Sequence, residues 1–142
     1  MLLLSAFKYS RPIEVRWRDI DSLRHVNNAV YLSYFEVARS SYLNDLFDWN
    51  WAEHGIILAR ASIDYKIPVL LTDRPKIYVR CTAIGTKSFT LEYAISIERN
   101  GKEVLAVRSE SVLVMYHYTT EKTFSVPDEI RQKISAYEGV AF

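Results

Sequence analysis

The densest group of reactive side chains in this 142-residue chain is Asp19, Asp21, His25, Asn27 and Asn28. A carboxylate can act as base or nucleophile, and an imidazole can carry a proton or orient a substrate. Free N–H groups at a helix N-terminus favour a developing oxyanion. Together these groups suit acyl transfer, in which a backbone N–H polarises a carbonyl while the carboxylate attacks it or activates water. The residue types also permit a plainer reading, because Asp and Asn are common in turns and caps whatever the function. Other chemistries have less to stand on. The histidines His25, His54 and His117 are far apart, and no His-x3-His or Cys-x2-Cys spacing occurs, so no metal site is expected. Four glycines supply neither a phosphate loop nor a dinucleotide fingerprint, and no Gly-x-Ser-x-Gly elbow is present.

Those side chains need elements to hold them. Ile13, Val15 and Trp17 alternate with Glu14, Arg16 and Arg18, which predicts a half-buried first strand over 13–18. Asn27 or Asn28 is the expected N-cap of a following helix. Tyr31, Tyr34, Phe35, Ala38, Tyr42 and Leu46 recur at spacings of three and four, giving a helix of about 18 residues, or roughly 27 Å. Leu32 and Val37 widen its apolar stripe, as for a helix buried on most sides. Glu36 and Arg39, three apart on flanking faces, read as an ion pair, either local or across a subunit interface.

Alternation then returns. Ala59, Ala61, Ile63, Tyr65 and Ile67 form one strand face that Pro68 ends; Ile77, Val79, Cys81 and Ala83 form a second, and Phe89, Leu91, Tyr93, Ile95 and Ile97 a third. Gly85-Thr86 and Asn100-Gly101 are the expected hairpin turns. The run from Val104 to Tyr118 loses its alternation near Val107, which predicts burial on both faces or a bulge. Pro127 to Tyr137 reads as a short terminal helix. The sum is α+β, an antiparallel sheet of five to six strands wrapped around one long central helix, in a single domain over 1–142. Such a sheet has an edge to protect, and dimerisation is one remedy.

Composition narrows the setting. Eighteen Lys+Arg against 17 Asp+Glu give a net charge of +1, too little field to expect a nucleic-acid or membrane partner. No apolar run is long enough for a membrane span. The Met1–Leu4 run is too short for a signal peptide and reads as an edge strand or interface segment. The single cysteine, Cys81, excludes an internal disulfide; it fits a cytoplasmic protein and reads as a small buried hydrophobe. Aromatic residues make up 13% of the chain; Tyr31, Tyr34, Trp49 and Trp51 either line an aryl pocket or pack a core.

The stretch from Arg18 to Arg39, with Asp19-x-Asp21, His25-Val26-Asn27-Asn28, Tyr31 and Glu36-x-x-Arg39, resembles the hotdog-fold acyl-CoA thioesterases related to 4-hydroxybenzoyl-CoA thioesterase. The resemblance implies hydrolysis of an acyl or aryl thioester to a free acid and coenzyme A. Coenzyme A would then be part of the substrate, with no separate cofactor. It places the catalytic carboxylate on Asp21 and a main-chain oxyanion donor on or near Asn28. His25 then lies beside the thioester or fixes the turn, and Asn27 positions water or the carbonyl, or caps the helix. Tyr31 falls in the substrate-binding region. Lys87 and Ser88 fall where relatives meet the nucleotide and pantetheine of coenzyme A, with Arg60, Arg74 and Arg80 as further cations. The groove at a dimer interface in such folds implies a homodimer, or a tetramer of dimers.

Arg24 stands where the family usually has Gly. Gly there often serves a positive-φ turn or a close approach of substrate, so either the thioester slot is narrower here or this turn does not need Gly. A slot filled by Arg24 would leave a non-catalytic acyl-CoA-binding or structural hotdog module.

Overall fold

The computed structural model describes residues 4–142. Residues 1–3 of the run expected as an edge or interface segment lie outside them, and Leu4 opens a 3-10 turn, Leu4–Ala6. Six strands form one antiparallel sheet: β1 (Tyr9–Pro12), β2 (Ile56–Tyr65), β3 (Lys76–Ile84), β4 (Ser88–Arg99), β5 (Lys102–His117) and β6 (Lys122–Thr123). Their order is β1-β3-β4-β5-β2, with β6 paired to β5. The sheet curls around helix α1 (Val30–Phe47), and a second helix, α2 (Asp128–Glu138), packs beside it. This is the expected α+β arrangement.

Short connections make the pairing antiparallel. Asn100 and Gly101 both take positive φ, 54° and 73°, so the β4–β5 hairpin has the two left-handed residues that match strand twist. Three bulges shape the curl. Ala106 is the extra residue on β5 where Ile95 faces Val107 and Ser96 faces Leu105, and its carbonyl accepts both Lys66 N and Ile67 N. That bulge is the lost alternation near Val107. A second bulge adds Thr82 to β3, so Ala83 is exposed instead of continuing the Ile77, Val79, Cys81 face. A third adds Ala59 to β2, which puts Arg60 opposite Val112, on the sheet face turned away from the helix.

Inside the curl, Tyr31, Tyr34, Phe35, Ala38, Tyr42, Leu43 and Phe47 of α1 are buried against Ile77, Val79, Leu91, Tyr93 and Ile95. The ring centroids of Phe35 and Tyr93 lie 5.0 Å apart. Cys81 belongs to this core, and burial pushes its thiol up to about 12. The helix is not buried on most sides, however. Leu32 and Val37 are 44% and 55% exposed, because the curl covers only one face. Nor do Glu36 and Arg39 pair: Glu36 is exposed, while Arg39 turns inward and donates to the Tyr93 hydroxyl at 3.2 Å. Strand β2 closes one edge of the sheet and is exposed along most of its length.

The segment after β1 departs most from its reading. Ile13 and Val15 pack against the core as expected, but no strand runs to Arg18. Residues 17–19 wind into a 3-10 turn, and Trp17 is thrown outward, 81% exposed. The cause is Asp19. Its buried carboxylate accepts Arg16 N at 2.9 Å, the Arg16 guanidinium at 3.0 Å and the Tyr34 hydroxyl at 2.8 Å. Burial alone would raise its pKa, but these donors outweigh it and hold the carboxyl below its ordinary value. The turn is thereby fastened to the first turns of α1.

Two measurements check these assignments. At Gly101 an added Cβ meets nothing within 4 Å, so Gly101→Ala isolates the torsional cost; thermal denaturation should show a loss of about 1 kcal/mol. An unchanged melting temperature would mean the turn does not depend on the left-handed residue. Asp19→Asn should lower stability at neutral pH by about 2 kcal/mol, since hydrogen bonds to a charged group are lost. A depressed folded-state pKa gives stability that is whole above about pH 4 and lost as pH falls through the folded value. The gap between wild type and Asp19→Asn in urea denaturation should therefore narrow as pH falls below about 4. A constant gap would overturn the charged role of Asp19.

Candidate functional site

Residues 20–26 form a small loop closed by an isolated bridge between Ile20 and Val26. Asp21 N donates to His25 O at 3.0 Å and Arg24 N to Asp21 O at 3.0 Å, so the chain turns back within four residues. Such a turn needs a left-handed residue, and Arg24 supplies it with φ 66°. The turn therefore keeps its left-handed residue without Gly. Arg takes the Gly conformation at a cost of roughly 1 kcal/mol, and places a long cationic side chain in the site. The loop is anchored by Asn27 N donating to Asp19 O at 2.8 Å and Val26 N to Val69 O at 2.9 Å.

The carboxylate of Asp21 is half-buried, and its Oδ1 accepts Leu23 N at 2.9 Å, leaving Oδ2 without a recorded donor among the described residues. Asp21 lines a cavity of about 520 Å³ with Trp17, Ile20, Ser22, Arg24 and Leu71. His25, Asn28 and Tyr31 meet in a second cavity, of about 250 Å³, with Val26, Tyr65, Lys66, Ile67 and Pro68. Of the aromatic residues considered for an aryl pocket, Tyr31 lines the second cavity, whereas Tyr34 and Trp49 line neither and belong to the core. Trp51 donates its indole N–H to Asn44.

The helix start explains which amide is free. Neither Asn caps it directly: α1 begins after Ala29, whose backbone is already helical. Asn27 Oδ1 instead accepts Ala29 N at 2.9 Å, and Asn27 O accepts Val30 N at 2.9 Å. Among the described residues Asn28 N has no recorded acceptor, and it sits at the positive end of an 18-residue helix. Asn27 thus has a structural task that accounts for its side-chain carbonyl. Tyr65 joins the site without having been singled out by its spacing: its hydroxyl donates to Asn28 O at 2.8 Å, and its ring lies edge-on to Tyr31, centroids 5.2 Å apart. Tyr31 in turn accepts Val69 N at 3.4 Å. Burial raises the pKa of both phenols, so each is a neutral hydroxyl at physiological pH. Nothing in strand alternation marks Tyr65, because its role depends on where β2 ends relative to α1.

The remaining sequence candidates are elsewhere. Lys87 is exposed in the β3–β4 turn, with Nζ 3.3 Å from Thr123 Oγ1, and Ser88 begins β4. Ser88 aligns through Val114 with Ile57, eight residues along β2 from Tyr65, which is roughly 26 Å at the rise of a strand. Arg60 lies between these ends, on the outer sheet face. Arg80 is paired to Glu92 at 2.9 Å, with its guanidinium 4.8 Å from the Phe7 ring. Within one chain, then, His25, Asn28 and Tyr31 come together, Asp21 opens on the cavity next to theirs, and Arg60, Lys87 and Ser88 stand apart.

This arrangement matches known proteins over nearly its whole length. Residues 15–134 match the model of the thioesterase-like superfamily. The long-chain acyl-CoA thioesterase FadM of Escherichia coli (strain K12) is 30% identical over 125 residues, covering 86% of this chain and 93% of that protein. A thioesterase from Thermus thermophilus, crystallised with coenzyme A and Zn, superposes with a TM-score of 0.83 and 35% identity over 98% of this chain and 100% of that one. A mutant 4-hydroxybenzoyl CoA thioesterase complexed with 4-hydroxybenzoyl CoA shares the fold, with a TM-score of 0.83 at 15% identity, over 89% and 98% of the two chains. With a family model spanning most of its length and relatives of this closeness, the chain belongs to the thioesterase-like superfamily and is a thioester hydrolase of the hotdog fold.

Proposed function

We propose that the chain hydrolyses acyl-CoA thioesters to the free acid and coenzyme A. The observation that carries this reading is the pairing of one unengaged main-chain donor, Asn28 N, with one carboxylate, Asp21, across the same short loop. The donor polarises the thioester carbonyl and takes the negative charge that develops on its oxygen. Asp21 acts by one of two routes. As base it takes a proton from water, whose oxygen bonds to the carbonyl carbon as the C–S bond breaks and coenzyme A leaves as thiolate. As nucleophile its own oxygen forms the bond, giving a mixed anhydride that water then cleaves. His25 stands beside the donor, where it can orient the carbonyl or water. Coenzyme A enters as part of the substrate and no other cofactor is required, in the reducing cytoplasm that a lone thiol fits.

The same reading calls for a second copy. Lys87 and Ser88 are too far from Asn28 in their own chain to hold the nucleotide end of one substrate against the carbonyl chemistry there. Antiparallel pairing of two β2 edges about a twofold axis would set the Ile57 end of one copy beside the Tyr65 end of the other. Lys87, Ser88 and Arg60 of one copy would then approach the other's site, and β2 would lose its exposed edge.

Thiol release, calorimetry and light scattering test this. Asp21→Asn should retain the wild-type melting temperature while losing at least about a hundredfold in thiol release from acyl-CoA, a typical general-base contribution. Retention of most of the rate would sink Asp21 as the reacting carboxylate. Thiol release absent from the wild type with acetyl-, dodecanoyl- and benzoyl-CoA, alongside binding in calorimetry, would favour the module without turnover, with Arg24 filling the slot. Light scattering at micromolar concentration should give a dimer or tetramer, and a monomer would contradict the shared site.

A further inference from the structure

Trp17 is the most exposed large apolar side chain among the described residues, at 81%, and it stands in the wall of the cavity that Asp21 lines. Ile20 and Leu71 complete the apolar part of that wall, with Leu71 38% exposed, while Asp21, Ser22 and Arg24 make the polar rim. The 3-10 turn, fixed by the Asp19 carboxylate, sets the Trp17 backbone so that its indole stands at the cavity that Asp21 lines. The volume, about 520 Å³, is in the range of small-molecule sites and about twice that of the cavity around His25 and Asn28.

A thioester addressed by both Asn28 N and Asp21 has two arms to place, and the cavities that line these two groups differ in chemistry. The smaller cavity, with His25, Asn28, Tyr65 and Lys66, offers hydrogen-bonding and cationic groups that suit the amide-rich thiol arm. The Trp17 side offers apolar surface that suits a hydrocarbon. From this geometry we propose that Trp17, Ile20 and Leu71 form the acyl-chain subsite, that its ligand class is the aliphatic acyl chain, and that Trp17 is a specificity-determining residue. The proposal rests on the acyl-CoA reading for its carbonyl but not on turnover, because binding alone reports the subsite. A second copy of the chain is a poorer occupant of the cleft, since docking protein there would bury Asp21 and Arg24 among apolar groups.

Each methylene moved from water to an apolar wall is worth about fourfold. The test compares wild type, Trp17→Ala and Leu71→Ala with butyryl-, octanoyl-, dodecanoyl- and benzoyl-CoA. It follows kcat/KM by thiol release and Kd for the corresponding alkyl-CoA thioethers, which cannot hydrolyse, by calorimetry. Trp17→Ala should lower the dodecanoyl-to-butyryl ratio of kcat/KM at least tenfold, and the dodecyl-to-butyl affinity ratio likewise, with Leu71→Ala acting in the same direction. An unchanged ratio overturns the proposal, as does a loss confined to benzoyl-CoA. So does an equal loss on every substrate together with dissociation in light scattering, which would make Trp17 a subunit contact. If no thiol is released by the wild type while the thioether ratio still collapses in Trp17→Ala, the subsite stands and the hydrolytic reading falls.

Discussion

The site depends on one buried carboxylate that takes no part in the proposed reaction. Asp19 is 2% exposed and accepts from the Arg16 backbone, the Arg16 guanidinium and the Tyr34 hydroxyl. A charge so placed is costly unless every lone pair is met, and each of these donors comes from a different constraint. Arg16 N closes the 3-10 turn, the guanidinium supplies the countercharge, and Tyr34 reaches from the second turn of α1. The backbone carbonyl of the same residue accepts Asn27 N. One residue thus fixes the end of the chain leaving β1, the root of the 20–26 loop and the start of the helix. Asp21 and Asn28 are held relative to each other through it.

The consequence is a division of labour between the two aspartates, two residues apart. Asp19 is saturated with donors and its pKa is held low, so at neutral pH it is an anion with little spare basicity. Asp21 accepts one loop amide and faces a cavity. The same logic separates the asparagines. Asn27 uses its side chain and carbonyl to satisfy Ala29 N and Val30 N, which leaves the amide preceding them, Asn28 N, free to bind a ligand. Tyr65 then holds the Asn28 carbonyl from the sheet, so the peptide following the free donor is gripped from both layers.

Much of this could be read from residue order. The helix stripe from Tyr31 to Tyr42, the alternation of β3 and β4, the Asn100-Gly101 turn and the irregularity near Val107 are local patterns with local causes, and each appears where its period places it. What escaped was set by tertiary partners. Trp17 continues the alternation of Ile13 and Val15, yet a side-chain hydrogen bond two residues later turns it outward. Ala83 loses its face to a bulge that no residue type announces. Leu32 and Val37 belong to the apolar stripe but not to the covered face, because the width of the curl is not encoded in the helix. Arg39 prefers the Tyr93 hydroxyl inside the curl to Glu36 on the surface. At the site, Asp21, His25 and Asn28 are consecutive enough to be seen together, whereas Tyr65 is 37 residues from its partner Asn28 and invisible to any spacing rule.

The features left open on the structure share one geometry. The uncovered face of α1, with Leu32 and Val37, and the exposed strand β2 are both surfaces that a lone copy leaves to water. Lys87 and Ser88 lie roughly a strand's length from the free amide that a coenzyme A thioester would address. An antiparallel β2 pairing answers the edge and the distance with one symmetry operation, because reversing a strand exchanges its two ends. Trp17 is a separate feature: it lies in the turn that follows β1 and lines the cavity of Asp21. The proposed second copy answers the β2 edge and the distance to Lys87, and the proposed acyl chain answers the apolar surface beside Asp21.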